Sequence, residues 1–168
     1  MFNVKLSNIQ QGTSSLSRNA QPADLHLQEE NAFVAPIQID LHFDRVGKNI
    51  FIKAEIECTL ALTCDRCSEP YSSELHETIR LLYTTDTDFK DQEDDLVFVI
   101  RVHEQDVDLS EPLRETMILA LPAKQLCRDD CKGLCPHCGT NLNESSCTCK
   151  SQTIDSRWDK LKDLFKSN

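Results

Sequence analysis

Glycine and proline are scarce in this chain, with 4 and 6 among 168 residues, and aromatic residues make up only 6%. So little Gly and Pro beside 39% apolar residues excludes a low-complexity or disordered polymer and points to a globular protein. The chain is long enough for one well-buried core and a small appendage. No run of about 18 apolar residues occurs, so no helix is expected to span a membrane. The opening residues, MFNVKLSNIQQGTSS, lack the apolar stretch of a secretory signal, and the expected location is the cytoplasm. No internal repeat is visible. Also missing are an H-E-x-x-H motif and any carboxylate at catalytic spacing from a histidine. The chain is therefore expected to be a non-enzyme with no catalytic residues and no small-molecule substrate.

Positive charge is the other shortage: 18 Lys and Arg face 28 Asp and Glu, a net charge of -10. From Lys124 onward there are 8 basic and 6 acidic residues, so the preceding residues carry -12. Binding to phosphates depends on Lys and Arg displacing condensed counterions, which argues against broad electrostatic adhesion to nucleic acid. No basic recognition helix marks a DNA reader. A basic protein partner suits the acidic body better. Lys124, Arg128, Lys132 and Lys150 form a local basic patch able to touch RNA. Asp86, Asp88, Asp91, Glu93, Asp94 and Asp95 crowd residues 84–95, read as a solvated loop, with attraction of a basic partner as the alternative.

The apolar pattern is that of strands. Ile37, Ile39, Leu41 and Phe43 alternate, and a turn near Asp44–Asn49 leads to a longer strand. There Ile50, Ile52, Ala54, Ile56, Cys58, Leu60 and Leu62 share one face, leaving Phe51, Lys53, Glu55, Glu57 and Thr59 on the other. Alternation resumes through Leu75, Ile79, Leu81 and Tyr83, and Leu96–Val102 reads as a further apolar strand. Asp108 and Glu111 have capping-box spacing ahead of Leu109, Leu113, Met117 and Leu121, which predicts a helix over about 108–121 that Pro122 stops. Trp158, Leu161 and Phe165 mark a short final helix over about 156–166, read as core or tail packing, with partner binding as the alternative. The predicted fold is α+β: an antiparallel β-meander closing into a small barrel or split barrel, one packed helix, and a C-terminal zinc-binding segment with its terminal helix. The predicted domains are a barrel-like unit over 1–123 and a cysteine-rich tail over 124–168.

What the chain does have in quantity is cysteine, 9 residues in all. In a reducing compartment, cysteines paired at short spacing point to metal or redox chemistry rather than disulfides. Cys135-Pro-His-Cys138-Gly139 followed by Cys147-Thr-Cys149 offers two close pairs for the tetrahedron that zinc prefers. His137, inside the turn, reads as a solvent-facing bystander. Cys127-Arg-Asp-Asp-Cys131 and Cys64-Asp-Arg-Cys67 add two more pairs. A redox role for Cys64 and Cys67 calls for a thiolate at a helix N-terminus, whereas this pair falls between two strands. The preferred partition places Cys135, Cys138, Cys147 and Cys149 on one zinc and Cys64, Cys67, Cys127 and Cys131 on another. A rival partition groups Cys127, Cys131, Cys135 and Cys138 and leaves Cys147 and Cys149 to Cys64 and Cys67. A single zinc with two free pairs is the third arrangement. Cys58, left over on an inward strand face, reads as a core residue.

The turn CDRCSEP, the segment SEPLRETMILALP, the run CRDDCKGLCPHCGTNLN with its CTC ending, and IDSRWDKL resemble the YceD family. That family of bacterial proteins, with plastid relatives, is named for accumulation of large-subunit ribosomal RNA, and the resemblance spans about residues 50–165. It implies a non-enzymatic ribosome-biogenesis factor that supports production, processing or stability of that RNA. The implied partners are a ribosomal protein or assembly factor, and precursor large-subunit ribosomal RNA. The alternative is a general protein-interaction or nucleic-acid-binding zinc module unrelated to ribosomes.

Overall fold

The computed structural model describes residues 1–86 and 96–149. Three long strands dominate it: β3 (Phe33–Val46), β4 (Asn49–Thr63) and β5 (Pro70–Thr84), each built on the period-two alternation of apolar residues. With β2 (Gly12–Ala20) and the short β6 (Val97–Val99) they form a five-stranded sheet in the order β2-β3-β4-β5-β6. β1 (Asn3–Lys5) and β7 (Asp106–Asp108) make a separate antiparallel pair. The register sets Phe43 beside Ile52 and Ile52 beside Leu81, so these side chains are buried together on one face. A one-residue slip of β4 would put Lys53 and Glu55 in their place, which holds the register firmly. The β3–β4 turn is closed by Gly47, whose φ of 60° is the left-handed conformation that glycine adopts without strain.

The predicted barrel is not formed. Closing one requires the last strand to pair with the first along its length. Instead β6 pairs only with Leu82–Thr84 of β5, and β2 stands at the opposite edge. The predicted strand at Leu96–Val102 is thus confined to three residues, and it runs parallel to β5, so the sheet is not a pure antiparallel meander. The apolar face is covered from outside the sheet. Helix α1 (Ser110–Leu119) contributes Leu113 and Met117, and the loop before it contributes Leu109, all fully buried. The first 32 residues, where the pattern predicts no element, add Phe2, Val4, Ile9, Leu25 and Leu27 to the same core.

α1 is shorter than the predicted 108–121, and its start is held differently. Leu109 occupies the cap position without a side-chain cap, and the carboxylate of Asp108 accepts the Ser110 amide at 2.9 Å. Glu111 pairs with Arg114 at 3.3 Å rather than closing a capping box. The Ser110 hydroxyl, buried, accepts the Phe2 amide at 2.6 Å, and the Phe2 carbonyl accepts the Leu109 amide at 3.1 Å. The N-terminal strand pair is thereby tied to the helix. No helix among the described residues is long and apolar enough to cross a membrane. The predicted final helix over 156–166, Lys150, and the acidic run from residue 87 to residue 95 lie outside the described residues.

Candidate metal centres

Cys64 follows directly on β4, and Cys67 lies in the turn that leads to β5. The Ser68 amide donates to the Cys64 carbonyl at 2.9 Å, and the Cys64 amide to the Glu69 carbonyl at 2.9 Å, folding the turn so that both sulfurs face one way. The tail is brought to this knuckle by a reciprocal pair of bonds. The Asp65 amide donates to the Gln125 carbonyl at 2.8 Å, and the Gln125 amide donates to the Asp65 carboxylate at 2.7 Å. Cys127 and Cys131 then complete a group of four sulfurs with Cys64 and Cys67, all within 4.8 Å of one another. Cys64 and Cys131 sulfurs are 3.8 Å apart, as are those of Cys67 and Cys127. A zinc–sulfur bond of about 2.3 Å sets tetrahedral sulfur–sulfur edges of about 3.8 Å. Both separations match that edge. Cys64, Cys67 and Cys131 are buried beneath Tyr71 and Leu126.

Arg66, between the two turn cysteines, fastens the next part of the tail. Its guanidinium donates to the Cys131 carbonyl at 2.8 Å and the Asp129 carbonyl at 3.2 Å, and its own carbonyl accepts the Leu134 amide at 3.0 Å. Gly133 packs so closely there that a Cβ would lie 2.9 Å from the Arg66 carbonyl oxygen, and its φ is +73°. No other residue type fits both conditions.

Cys135, Cys138, Cys147 and Cys149 form the second group of four, again within 4.8 Å of one another. Its turn is closed by the Gly139 amide on the Cys135 carbonyl at 2.9 Å and the Cys135 amide on the Thr140 carbonyl at 2.8 Å. Cys135 and Cys147 sulfurs are 3.4 Å apart. Cys135 is buried, while Cys138 and Cys149 are exposed. His137 is exposed and belongs to neither group. The fold thus makes the preferred partition of the eight sulfurs, and not the rival one. Cys58 stands apart in the sheet core, where burial and the nearby Glu74 push its thiol up to about 11.

The electrostatics of each group call for a cation. Backbone amides directed at the Cys64 sulfur, led by that of Cys127, lower its thiol to about 6. Burial, with the neighbouring cysteines, pushes Cys127 up to about 12. In the second group the Thr140 hydroxyl and amide lower Cys138 to about 6, and contact with Cys138 pushes Cys149 up to about 12. Cys131 and Cys135 are lowered as well and Cys67 is raised, so in each group some thiols ionise more readily while a neighbour resists, as expected of like charges held together. A dication would let all four ionise.

One residue of this region carries no sequence signal for its role. The Asn143 side-chain amide donates to the Cys131 sulfur at 3.3 Å and to Asn141 at 2.9 Å. Its carbonyl oxygen accepts the Lys132 amide and the Arg128 guanidinium, each at 2.8 Å. Asn143 therefore braces a sulfur of the first group from the loop of the second. Asn143→Ala is expected to speed metal transfer to a chelator from the first group by about 10- to 100-fold, measured by chromophoric chelator competition. The same bonds occupy Arg128, which also pairs with Asp130 at 3.4 Å, so the predicted basic patch is partly neutralised.

Sheet and sulfur groups together define a class: an open β-sheet protein whose C-terminal segment is gathered into two four-cysteine sites able to hold metal ions. The chain belongs to the YceD family, whose model, described as large ribosomal RNA subunit accumulation protein YceD, matches residues 52–165. The matched region takes in nearly all of β4, β5, α1 and both cysteine groups, and leaves β1–β3 outside it. An uncharacterized protein of Mycobacterium tuberculosis is 30% identical over 134 residues, covering 78% of this chain and 63% of the relative. The chloroplastic large ribosomal RNA subunit accumulation protein YCED homolog 1 of Zea mays is 27% identical over 159 residues, covering 78% of this chain and 54% of the relative. Its Arabidopsis thaliana counterpart is 25% identical over 157 residues, covering 77% and 48%. The chain thus spans less than two thirds of the length of these curated relatives. No solved structure matches it.

Proposed function

We propose that this protein is a non-enzymatic, cytoplasmic ribosome-biogenesis factor that supports accumulation or processing of large-subunit ribosomal RNA. It acts as an adaptor whose tail is held on the sheet by two structural zinc ions. The observation that carries the metal reading is the first sulfur group, in which two cysteines from the β4–β5 turn and two from the tail share 3.8 Å edges. Four thiolates per site suit zinc in its structural form, with no coordination position left open for a substrate. The ribosomal part rests on family membership and on the printed names of the plant relatives. An acidic body, in a chain of net charge -10, suits a basic ribosomal protein or assembly factor, with precursor RNA reached through local contacts.

The test is a sucrose-gradient ribosome profile, with the large-to-small ribosomal RNA ratio, in cells depleted of the protein. A selective fall in large-subunit RNA and in free large subunits is the expected result. An unchanged profile removes the ribosomal role and leaves a general zinc-stabilised interaction module.

A further inference from the structure

The outer face of the five-stranded sheet is not uniformly polar. Near the β3–β4 turn it forms a groove of about 800 Å³ that crosses all five strands. The pairing register resolves its floor into two parallel rows. In one, Thr13, Asp44, Phe51, Leu82 and Val97 stand side by side from β2 to β6. In the other, Ser15, His42, Lys53 and Arg80 do the same from β2 to β5. A row with an apolar half therefore lies alongside a row that carries His42, Lys53 and Arg80. At about 4.8 Å per strand the groove is roughly 19 Å long.

Phe51 is the one exposed aromatic residue among the described residues, at 47% of its full accessibility. An aromatic ring left in water on the central strand of a sheet, with cations one step away, is the arrangement on which nucleic-acid bases stack while phosphates meet the cations. Lys53 is shared with Glu55, which also pairs with His42 at 3.5 Å. Arg80 has no ion-pair partner among the described residues and is the cation most available to a ligand. Among the described residues lining the groove Asp44 alone is acidic, against Lys53 and Arg80, so the described lining is opposite in sign to the chain as a whole. A second copy of the chain would bring a net charge of -10 against it, and a basic peptide would meet Lys53 and Arg80.

We propose that this groove binds a short single-stranded RNA segment, with a base stacked on Phe51 and phosphates against Arg80 and Lys53. The inference rests on the ribosomal reading above and supplies the surface through which the adaptor touches its RNA. About four nucleotides fill the groove, the low end of single-strand sites. A duplex presents its bases edge-on and cannot stack on the ring.

The test uses the full chain with its metals and a fluorescein-labelled ten-nucleotide single-stranded RNA, followed by anisotropy at several salt concentrations. Two phosphate contacts predict a logarithmic salt slope of about -1.4. Phe51→Val keeps a strand-forming apolar residue but removes the ring, and is expected to weaken binding about tenfold. Arg80→Gln is expected to weaken binding and flatten the slope by about 0.7. Both residues are on the solvent face, so unchanged thermal melting checks that the variants fold. Ultraviolet crosslinking followed by peptide mass mapping should place the RNA on β4 or β5. The proposal is overturned by absent binding, by equal affinity for a ten-base-pair duplex, or by variants that bind as the parent does. It also fails if Phe51→Val instead dissolves a dimer in sedimentation. Depleted cells rescued fully by the Phe51→Val, Arg80→Gln double variant would sink the groove and leave the ribosomal reading standing. A normal ribosome profile on depletion would do the reverse.

Discussion

Replacing Cys67 with serine is expected to reduce bound zinc from two ions per chain to one and to free residues 124–134 from the sheet. The starting stoichiometry of two follows from the proposed occupancy of the two groups of four cysteines, each able to hold one metal ion. The size of the effect follows from what else holds the tail. From Lys124 to Cys149 the buried residues are Cys131, Gly133 and Cys135, with no larger apolar side chain among them. A segment without a core folds on the free energy of its metal, about 10–16 kcal/mol for structural zinc. The remaining contacts are the packing of half-buried Leu126 over the sulfurs and hydrogen bonds at Asp65, Arg66 and Asn143, each bond worth about 1 kcal/mol net. A three-sulfur remnant of the buried site therefore leaves the tail open to proteolysis near Lys124, while the sheet and its circular dichroism persist. Elemental analysis with limited proteolysis reads both outcomes. Cys58→Ala is the control and should keep two zinc ions, because Cys58 lies in the sheet core apart from both groups. Iron in place of zinc, or two zinc ions retained by Cys67→Ser, would defeat the assignment.

The sheet itself should fail through its helix. Leu113→Ala is expected to cost about 2–5 kcal/mol, as for other fully buried leucines. Leu113 is 0% exposed, as are Leu109 and Met117 beside it, and together they close the apolar face that a barrel would have closed with its own strands. Domain stabilities of about 5–15 kcal/mol make such a loss a large share of the whole. Urea unfolding followed by circular dichroism should show a lower midpoint with zinc content unchanged. A shift below about 1 kcal/mol would mean that α1 is a peripheral cover rather than part of the core. The contrast with Cys67→Ser is informative, since one change opens the tail and spares the sheet, and the other weakens the sheet first.

Much of this was legible before any fold was known. Ile37, Ile39, Leu41 and Phe43 on β3, and the inward row of β4 from Ile50 to Leu62, are buried as their alternation predicts. Cys58 lies in the core, and Cys64 with Cys67 occupies the turn between two strands. Other features left no local trace. The parallel docking of β6 is a pairing with the far end of β5, and Phe2, Leu25 and Leu27 show no period because Phe2 precedes a three-residue strand, Leu25 ends a four-residue 3-10 helix and Leu27 lies in the irregular stretch after it. The capping-box spacing at Asp108 misled, since Ser110 was needed to satisfy the Phe2 amide and the chain entered the helix one step later.

By itself, then, the sequence determined the strand faces, the paired sulfurs and the family, all of which are written within a few residues of chain. Side-chain direction in a strand and the reach of two thiolates across a short turn are set by backbone stereochemistry, with no help from distant residues. Only the tertiary structure decided that Cys64 and Cys67 meet Cys127 and Cys131 about 60 residues away, that Asn143 braces their site, and that the sheet stays open with Phe51 and Arg80 in one groove. Those depend on which surfaces remain to be covered once the long strands have paired. That is a property of the whole packed chain, and no local pattern contains it.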